Sequence, residues 1–286
     1  MKKYNLAWFL DVSAFPTRVN TLKKLLYQRF VMDISSQKTL IFIVGCQRSG
    51  TTMLSRTFQR DLRTKIYGEL GLSEQNSRRL MPHNKIEQLV LQDLPPVIVA
   101  KPLLDSQNIR ELLNYFSGAK AVWIYRNYKD VTRSRVKRFS DEGTRKNLAA
   151  VIGLRQDRQW MSENASEQVK NVVRRYYSET MSPQDANALY WYVRNSLFFD
   201  LSLEYHPKVM LLKYDDLALS PINVMRNVYR FCDVAYPGDY IVNHIHNQSI
   251  GLGKDVGISR DIADICDALW QNMNRVHKAT RLLATP

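Results

Sequence analysis

"LIFIVGCQRSGTTMLSRTF", residues 40–58, passes from an apolar run through a loop bounded by Gly45 and Gly50 into a segment that reads as a helix. The run Leu40 to Val44 has the length and composition of a buried strand. A glycine-bounded turn between a strand and a helix is an anion cradle, because tight turning aims backbone N–H groups and the positive helix end at one point. The triphosphate version of such a loop places Lys directly after the second glycine, and here that position is Thr51. The cation sits instead at Arg48, with Ser49, Thr51 and Thr52 as further donors. The loop therefore keeps its cradle but lacks the usual triphosphate grip.

Outward from this stretch, short β-rich runs at Thr39 to Gly45, Pro96 to Ala100, Lys120 to Tyr125 and Lys208 to Lys213 alternate with helical patterns. Helices are expected over about Thr51 to Arg60, Ser106 to Phe116, Tyr128 to Ser140 and Pro221 to Cys232, with a last one from about Arg260. The run Lys65 to Tyr67 is a candidate fifth strand. Near-continuous apolar strands joined by helices predict an α/β three-layer sandwich, with a central, mainly parallel sheet of P-loop NTPase-like type. Residues 141–206 carry no strand signal and read as a helical insertion within a single domain spanning 1–286. Residues 1–38 read as a helical extension. Within it Leu22, Leu25, Leu26 and Phe30 form an apolar stripe with Lys23 and Lys24 on the wet face. This stripe is expected to pack on the core, with peripheral membrane contact as the alternative.

A chain of 286 residues, 45% hydrophobic, can bury one substantial core. No apolar run approaches the roughly 18 to 20 residues that a membrane span needs, and the N-terminus is too polar for a secretion signal. Three cysteines (Cys46, Cys232, Cys266) without metal-ligand spacing argue against a disulfide framework and for a soluble, cytoplasmic protein. The formal charge of +14 favours a polyanionic partner. The five histidines are scattered, and His244 with His246 lacks a third ligand, so no metal site is expected.

The segment RSGTT, placed between a strand and a helix, resembles the 5′-phosphosulfate loop, Arg/Lys-Ser-Gly-Thr-Thr, of sulfotransferases that use 3′-phosphoadenosine 5′-phosphosulfate (PAPS). A second match follows the run AVWIY: Arg126 closes the strand and Ser134 lies eight residues on, as in the family's grip on the ribose 3′-phosphate. Among the eight basic residues from Arg126 to Lys146, some of Arg133, Arg135, Lys137 and Arg138 are expected to line a solvated face. The segment VMLLKYDDLALSP is similar to the family's hhhxYEDLxxxP, which makes Tyr214 a cofactor contact. Lys254, in the loop SIGLGK, stands about where the family closes a basic loop over the cofactor. Met53 replaces the Trp that many cytosolic members use to stack on adenine, and Trp123 or Tyr214 are the substitutes considered.

The resemblance implies PAPS as donor, adenosine 3′,5′-bisphosphate (PAP) as product, and no metal. Lys101 follows the run PPVIVA, but Pro102 and Leu103 stand where the small-molecule branch has Thr and a catalytic His. The frame looks closer to bacterial and tyrosylprotein sulfotransferases, whose base is a Glu in a Gly-Glu segment. Here that segment is IYGEL, with Glu69 21 positions after Arg48. The implied roles are Glu69 as base, with Glu74 and Asp105 as substitutes, and Arg48 and Lys101 as stabilisers of the transferring group. Gly45, Arg48, Ser49, Gly50, Thr51, Thr52, Arg126, Ser134, Tyr214 and Lys254 would bind the cofactor.

The acceptor, whether small molecule, carbohydrate, lipid or protein side chain, is expected in a pocket made by residues 70–95 and the insertion. Two other readings stay open. One is a P-loop kinase or NTPase using Mg-ATP with Asp215 or Asp216 as the acid. The other is a non-catalytic basic polyanion-binding protein, although no recognised nucleic-acid-binding pattern is present. Neither the acceptor atom nor the oligomeric state is fixed by the sequence.

Overall fold

The computed structural model describes residues 15–30, 38–74 and 78–283. In chain order the elements are α1 (Phe15–Phe30), β1 (Thr39–Val44), α2 (Thr51–Arg60), β2 (Thr64–Tyr67), α3 (His83–Gln92), β3 (Val97–Ala100), α4 (Ile109–Tyr115) and β4 (Lys120–Tyr125). There follow α5 (Tyr128–Val136), α6 (Asp141–Val151), α7 (Glu167–Tyr176), α8 (Pro183–Asp200), β5 (Val209–Lys213), α9 (Tyr214–Leu219), α10 (Pro221–Phe231) and α11 (Arg260–Leu283). Single-turn helices connect several of them.

The five strands pair in the order β2-β3-β1-β4-β5, and every pairing is parallel. Successive side chains of a strand point to opposite faces, so a sheet covered on both sides must be apolar at every position. In β1, Leu40, Phe42 and Val44 enter one core with residues of α4, α5, α8 and α11. Ile41 and Ile43 enter the other core with residues of α2 and α10. This is the expected three-layer α/β sandwich, and β2, the weakest run in the sequence, is its edge strand.

Two boundaries differ from expectation. Residues Leu103–Asn108 form a tighter helical turn, and α4 begins only at Ile109. Pro102 precedes that turn, and Asp105 turns its carboxylate to the backbone N–H of Leu80 (2.7 Å), which holds the segment in place. The helix after β4 ends at Val136, and Ser140 then caps α6 by accepting from the N–H of Gly143. The interval between β4 and β5 is helical, as the composition suggested.

α1 faces the opposite way from the expected one. Leu22, Leu25, Leu26 and Phe30 are exposed, Phe30 at 73%, while the helix meets the body through Lys24 and Gln28. Lys24 Nζ donates to the carbonyl of Gln59 (2.8 Å) and to Thr64 Oγ1 (3.0 Å). Gln28 Nε2 donates to the carbonyls of Leu62 (2.7 Å) and Thr64 (3.2 Å). The end of α2 and the start of the edge strand leave carbonyls without backbone partners, and these require donors rather than methyl groups. Burial lowers the Lys24 pKa to about 8. The side chain of Lys23 lies outside the described residues.

Candidate active site at the carboxyl ends of the strands

Register alone brings the predicted residues into one row. Tyr67 of β2 pairs with Ala100 of β3, so Glu69 and Lys101 emerge side by side. Ala100 also pairs with Phe42 of β1, whose continuation is the loop Gly45–Gly50. Val44 of β1 pairs with Trp123 of β4, which ends at Arg126, and Tyr125 pairs with Lys213 of β5, which ends at Tyr214. Five adjacent strand ends thus deliver Glu69, Lys101, the loop, Arg126 and Tyr214 along one edge, where open α/β sheets bind ligands.

The loop depends on its glycines for space as well as for conformation. Gly45 has φ 121°, and a Cβ there would lie 2.4 Å from the Ile124 carbonyl oxygen. Gly50 has φ 98°, and a Cβ would lie 2.3 Å from the Tyr214 ring. Arg48 itself has φ 72°, a conformation uncommon for a non-glycine residue. α2 starts at Thr51 with no capping side chain and no acidic residue in its first turn, so its N–H groups and dipole remain available to an anion. Ser49 Oγ is buried with no hydrogen-bond partner among the described residues, and buried hydroxyls are normally satisfied. Burial first, then repulsion from Arg138, Arg126 and Arg135, pushes the Arg48 guanidinium pKa down. A fixed cluster of like charges of this kind is relieved by an anion.

The second predicted anion motif reaches the first. Arg48 Nε donates to Ser134 Oγ at 2.9 Å, although the two are 86 residues apart. Arg126 is 7% exposed, pairs with Asp130 (3.2 Å), and lies 4.4 Å from the centre of the Tyr214 ring. Its Nη2 also donates to the Ser249 carbonyl, while its Nε is buried without a partner among the described residues. Asp130 accepts the backbone N–H groups of Gly251 (3.0 Å) and Gly253 (2.8 Å), and the hydroxyls of Tyr214 and Ser249 meet. Arg126, Asp130 and Tyr214 therefore tie down the segment that ends at Lys254, which is exposed. The sequence did not single out Asp130 in this role, nor Ser249.

On the other side of the loop, Lys101 Nζ donates to Thr52 Oγ1 at 3.3 Å. Burial lowers the Lys101 pKa, Glu69 opposes that shift, and Arg56 and Arg48 add to it. Glu69 Oε1 accepts from Gln47 Nε2 (3.1 Å). Gln47 Oε1 in turn accepts from Tyr190 Oη (3.2 Å) and Arg135 Nη1 (3.4 Å). Gln47 and Tyr190 were not anticipated. Gln47 is a loop residue whose value lies in side-chain contacts, and Tyr190 comes from the helical insertion, so no local pattern marks either.

Glu69 and Gln47 open into a cavity of about 880 Å³, whose walls include Leu70, Arg78, Arg135, Phe139, Trp160 and Tyr190. As expected of part of this basic set, Lys137 and Arg138 are exposed, whereas Arg135 is 3% exposed. It lies on the buried side of α5 with Val131 and Thr132. Of the substitutes for the base, Asp105 is held by Leu80 N–H and Glu74 lies across the smaller neighbouring cavity.

The candidates for adenine stacking and for a magnesium-binding acid are otherwise engaged. Trp123 is fully buried, and its indole points to Asn195, so it offers no surface to an adenine. Tyr214 is 2% exposed and lies against Gly50. Asp216 pairs with His277 at 2.8 Å. No group of three or more His, Cys, Asp or Glu side chains placed to hold a metal occurs among the described residues. Nor, among them, is any helix long and apolar enough to cross a membrane.

Comparison with known proteins decides the family. The sulfotransferase domain model matches residues 38–254, which contain the whole row of strand ends. The chain belongs to the sulfotransferase domain family. No curated protein matches it significantly. Solved structures similar to this sulfotransferase chain include a mouse sulfotransferase complexed with PAP, at 13% identity and TM-score 0.49, covering 93% of this chain and 94% of that one. Another is a sulfotransferase from Alicyclobacillus acidocaldarius, at 14% identity and TM-score 0.47, covering 84% and 94%. A third is the sulfotransferase domain from the curacin biosynthetic pathway, at 15% identity and TM-score 0.48, covering 84% and 99%.

Proposed function

We propose that this sulfotransferase moves the sulfuryl group of PAPS to a hydroxyl or amine of an acceptor, with Glu69 as base and Arg48 and Lys101 stabilising the transition state. The observation that carries the reading is the placement of Glu69, Lys101 and Arg48 on three neighbouring strand ends around one anion cradle. The residues fit the donor: the loop offers Gly45, Ser49, Gly50, Thr51 and Thr52 around its phosphosulfate end, and Ser49 Oγ lacks a partner among the described residues. Arg126 and Ser134 would hold its 3′-phosphate, with Tyr214 and Lys254 on the closing side. Bound PAPS supplies the sulfuryl group and a phosphate leaving group.

Glu69 takes the proton from the acceptor atom as that atom attacks sulfur in line, a step worth about 10²- to 10⁴-fold in rate. Arg48 and Lys101 would act on the bond that breaks between sulfur and the bridging oxygen. Preorganised cations there can contribute a few kcal/mol, because they interact most strongly with the charge that develops on the leaving phosphate. PAP then departs as product. We assign residues 1–286 to one domain in the cytoplasm, with 141–206 shaping the acceptor pocket through Tyr190, Trp160 and Asn147, which line the cavity. The three buried free cysteines support a reducing compartment.

The missing P-loop lysine and the His277 contact of Asp216 weigh against the Mg-ATP reading. Glu69→Gln tests the assignment, with labelled PAPS as donor and a native extract as acceptor source. PAP binding should be retained and turnover should fall at least about a hundredfold; near-normal turnover removes Glu69 from the mechanism.

A further inference from the structure

The cavity beyond Glu69 carries information about the acceptor, and this inference rests on the sulfotransferase reading of the neighbouring site. Arg135 forms part of its wall and is 3% exposed. No carboxylate lies within ion-pair distance of it among the described residues. Its Nε donates to Asn187 Oδ1 (2.8 Å) and its Nη1 to Gln47 Oε1 (3.4 Å), both neutral amides. Nη2 has no protein partner among the described residues. The guanidinium lies 4.1 Å from the centre of the Tyr190 ring and 4.8 Å from that of Phe139.

A buried charge without a counter-ion is costly, and proteins ordinarily pair it or leave it in water. Four neighbours hold Arg135 at the cavity wall with one N–H face unused. That is the arrangement of a preorganised receptor for a planar or tetrahedral oxyanion. The two acidic groups on the cavity wall do not neutralise it. Glu69 accepts from Gln47, and Asp157 lies between Arg155 (3.0 Å) and Arg158 (3.7 Å). Arg78 and Arg158 add positive charge to the same wall.

We propose that the acceptor is a polar molecule bearing an anionic substituent, a carboxylate, sulfate or phosphate, which docks on Arg135 while the reacting hydroxyl or amine faces Glu69. Gln47 bridges the two subsites, with its amide oxygen toward Arg135 and its amide nitrogen toward Glu69. The cavity therefore selects for a molecule with an anion at one end and a nucleophile at the other. A neutral, wholly apolar acceptor would leave Arg135 unpaired and desolvated, a penalty that the anionic acceptor avoids.

The probes are sulfate, phosphate and acetate, titrated against protein saturated with PAP so that both phosphate sites of the nucleotide are filled, with chloride at equal ionic strength as reference. At least one anion should raise the melting temperature of the wild type above the chloride reference. In Arg135→Gln that anion's apparent affinity should fall about tenfold or more, whereas Arg135→Lys should retain part of it. The rank order of the three probes identifies the substituent. Equal anion effects in wild type and Arg135→Gln, or none in the wild type, would overturn the proposal. Should Arg135→Gln not fold, selenate diffused into wild-type crystals with PAP bound gives the same decision. An anomalous peak beside Arg135 supports the site, and peaks only outside the cavity refute it. Failure of PAP itself to stabilise the protein would instead count against the sulfotransferase assignment of the neighbouring loop, so the two failures are separable.

Discussion

Arg48 Nε and Ser134 Oγ meet at 2.9 Å, and this single hydrogen bond joins two segments that the sequence presents as separate anion motifs. The loop proposed to take the phosphosulfate and the motif proposed to take the 3′-phosphate are thereby in direct contact. Ser134→Ala should weaken PAP binding about tenfold, as loss of one hydrogen bond to a charged group implies. It should weaken adenosine 5′-phosphosulfate, which lacks the 3′-phosphate, much less. Calorimetric titration of both ligands decides: an equal loss for both would mean that Ser134 acts only by positioning Arg48.

Gly50 is needed twice over, once for its φ of 98° and once for the 2.3 Å approach that a Cβ would make to Tyr214. Gly50→Ala should cost about 1–3 kcal/mol of stability from backbone strain alone, and more from the displaced ring. Adding Tyr214→Ala should recover the steric part but not the strain. Chemical denaturation of the two variants measures both, and full recovery would show that φ at this position is unimportant.

Lys101 is half-buried, and desolvation holds its pKa below the ordinary 10.5. If its ammonium stabilises the leaving group, the rate should fall as pH rises through this lowered pKa, so the alkaline limb lies below 10.5. Lys101→Arg should move that limb upward, since guanidinium stays charged. The same burial makes the ammonium form unfavourable to folding at low pH, a cost that disappears as pH approaches 10.5. A pH–rate profile unchanged in Lys101→Arg would remove Lys101 from the chemistry.

Asp130 is 4% exposed and holds Arg126 together with the N–H groups of Gly251 and Gly253. Asp130→Ala should cost about 3–5 kcal/mol, because it leaves a buried guanidinium and two amides without their acceptor. Hydrogen exchange should show residues 249–254 losing protection before the sheet does. Exchange unchanged in that segment would show that the pin is dispensable.

Much of this architecture could be read from the residues, and the exceptions share a cause. Apolar runs such as TLIFIV and KAVWIY carry strand identity locally, and even the short TKIY was visible. The anion motifs were visible as well, because their glycines and cations are adjacent in the chain. What escaped was long-range partnership. Arg135 looks like any residue of a basic helix until α8 supplies Asn187 and Tyr190, and nothing near Gln47 announces that it bridges Glu69 to Arg135. α1 misled because its apolar stripe was the stronger signal. The decisive factor, a set of unpartnered carbonyls at the end of α2 and the edge of β2, belongs to another part of the chain.

The site, as proposed, takes a nucleotide with a 3′-phosphate and needs no metal. Thermal unfolding with PAP, against Mg-ATP, tests it most directly. A ligand at about 100 times its dissociation constant stabilises by about 2.7 kcal/mol. A shift of that order is expected with PAP, unchanged by chelator and lost in Arg126→Ala. Stabilisation by Mg-ATP with none from PAP would contradict it.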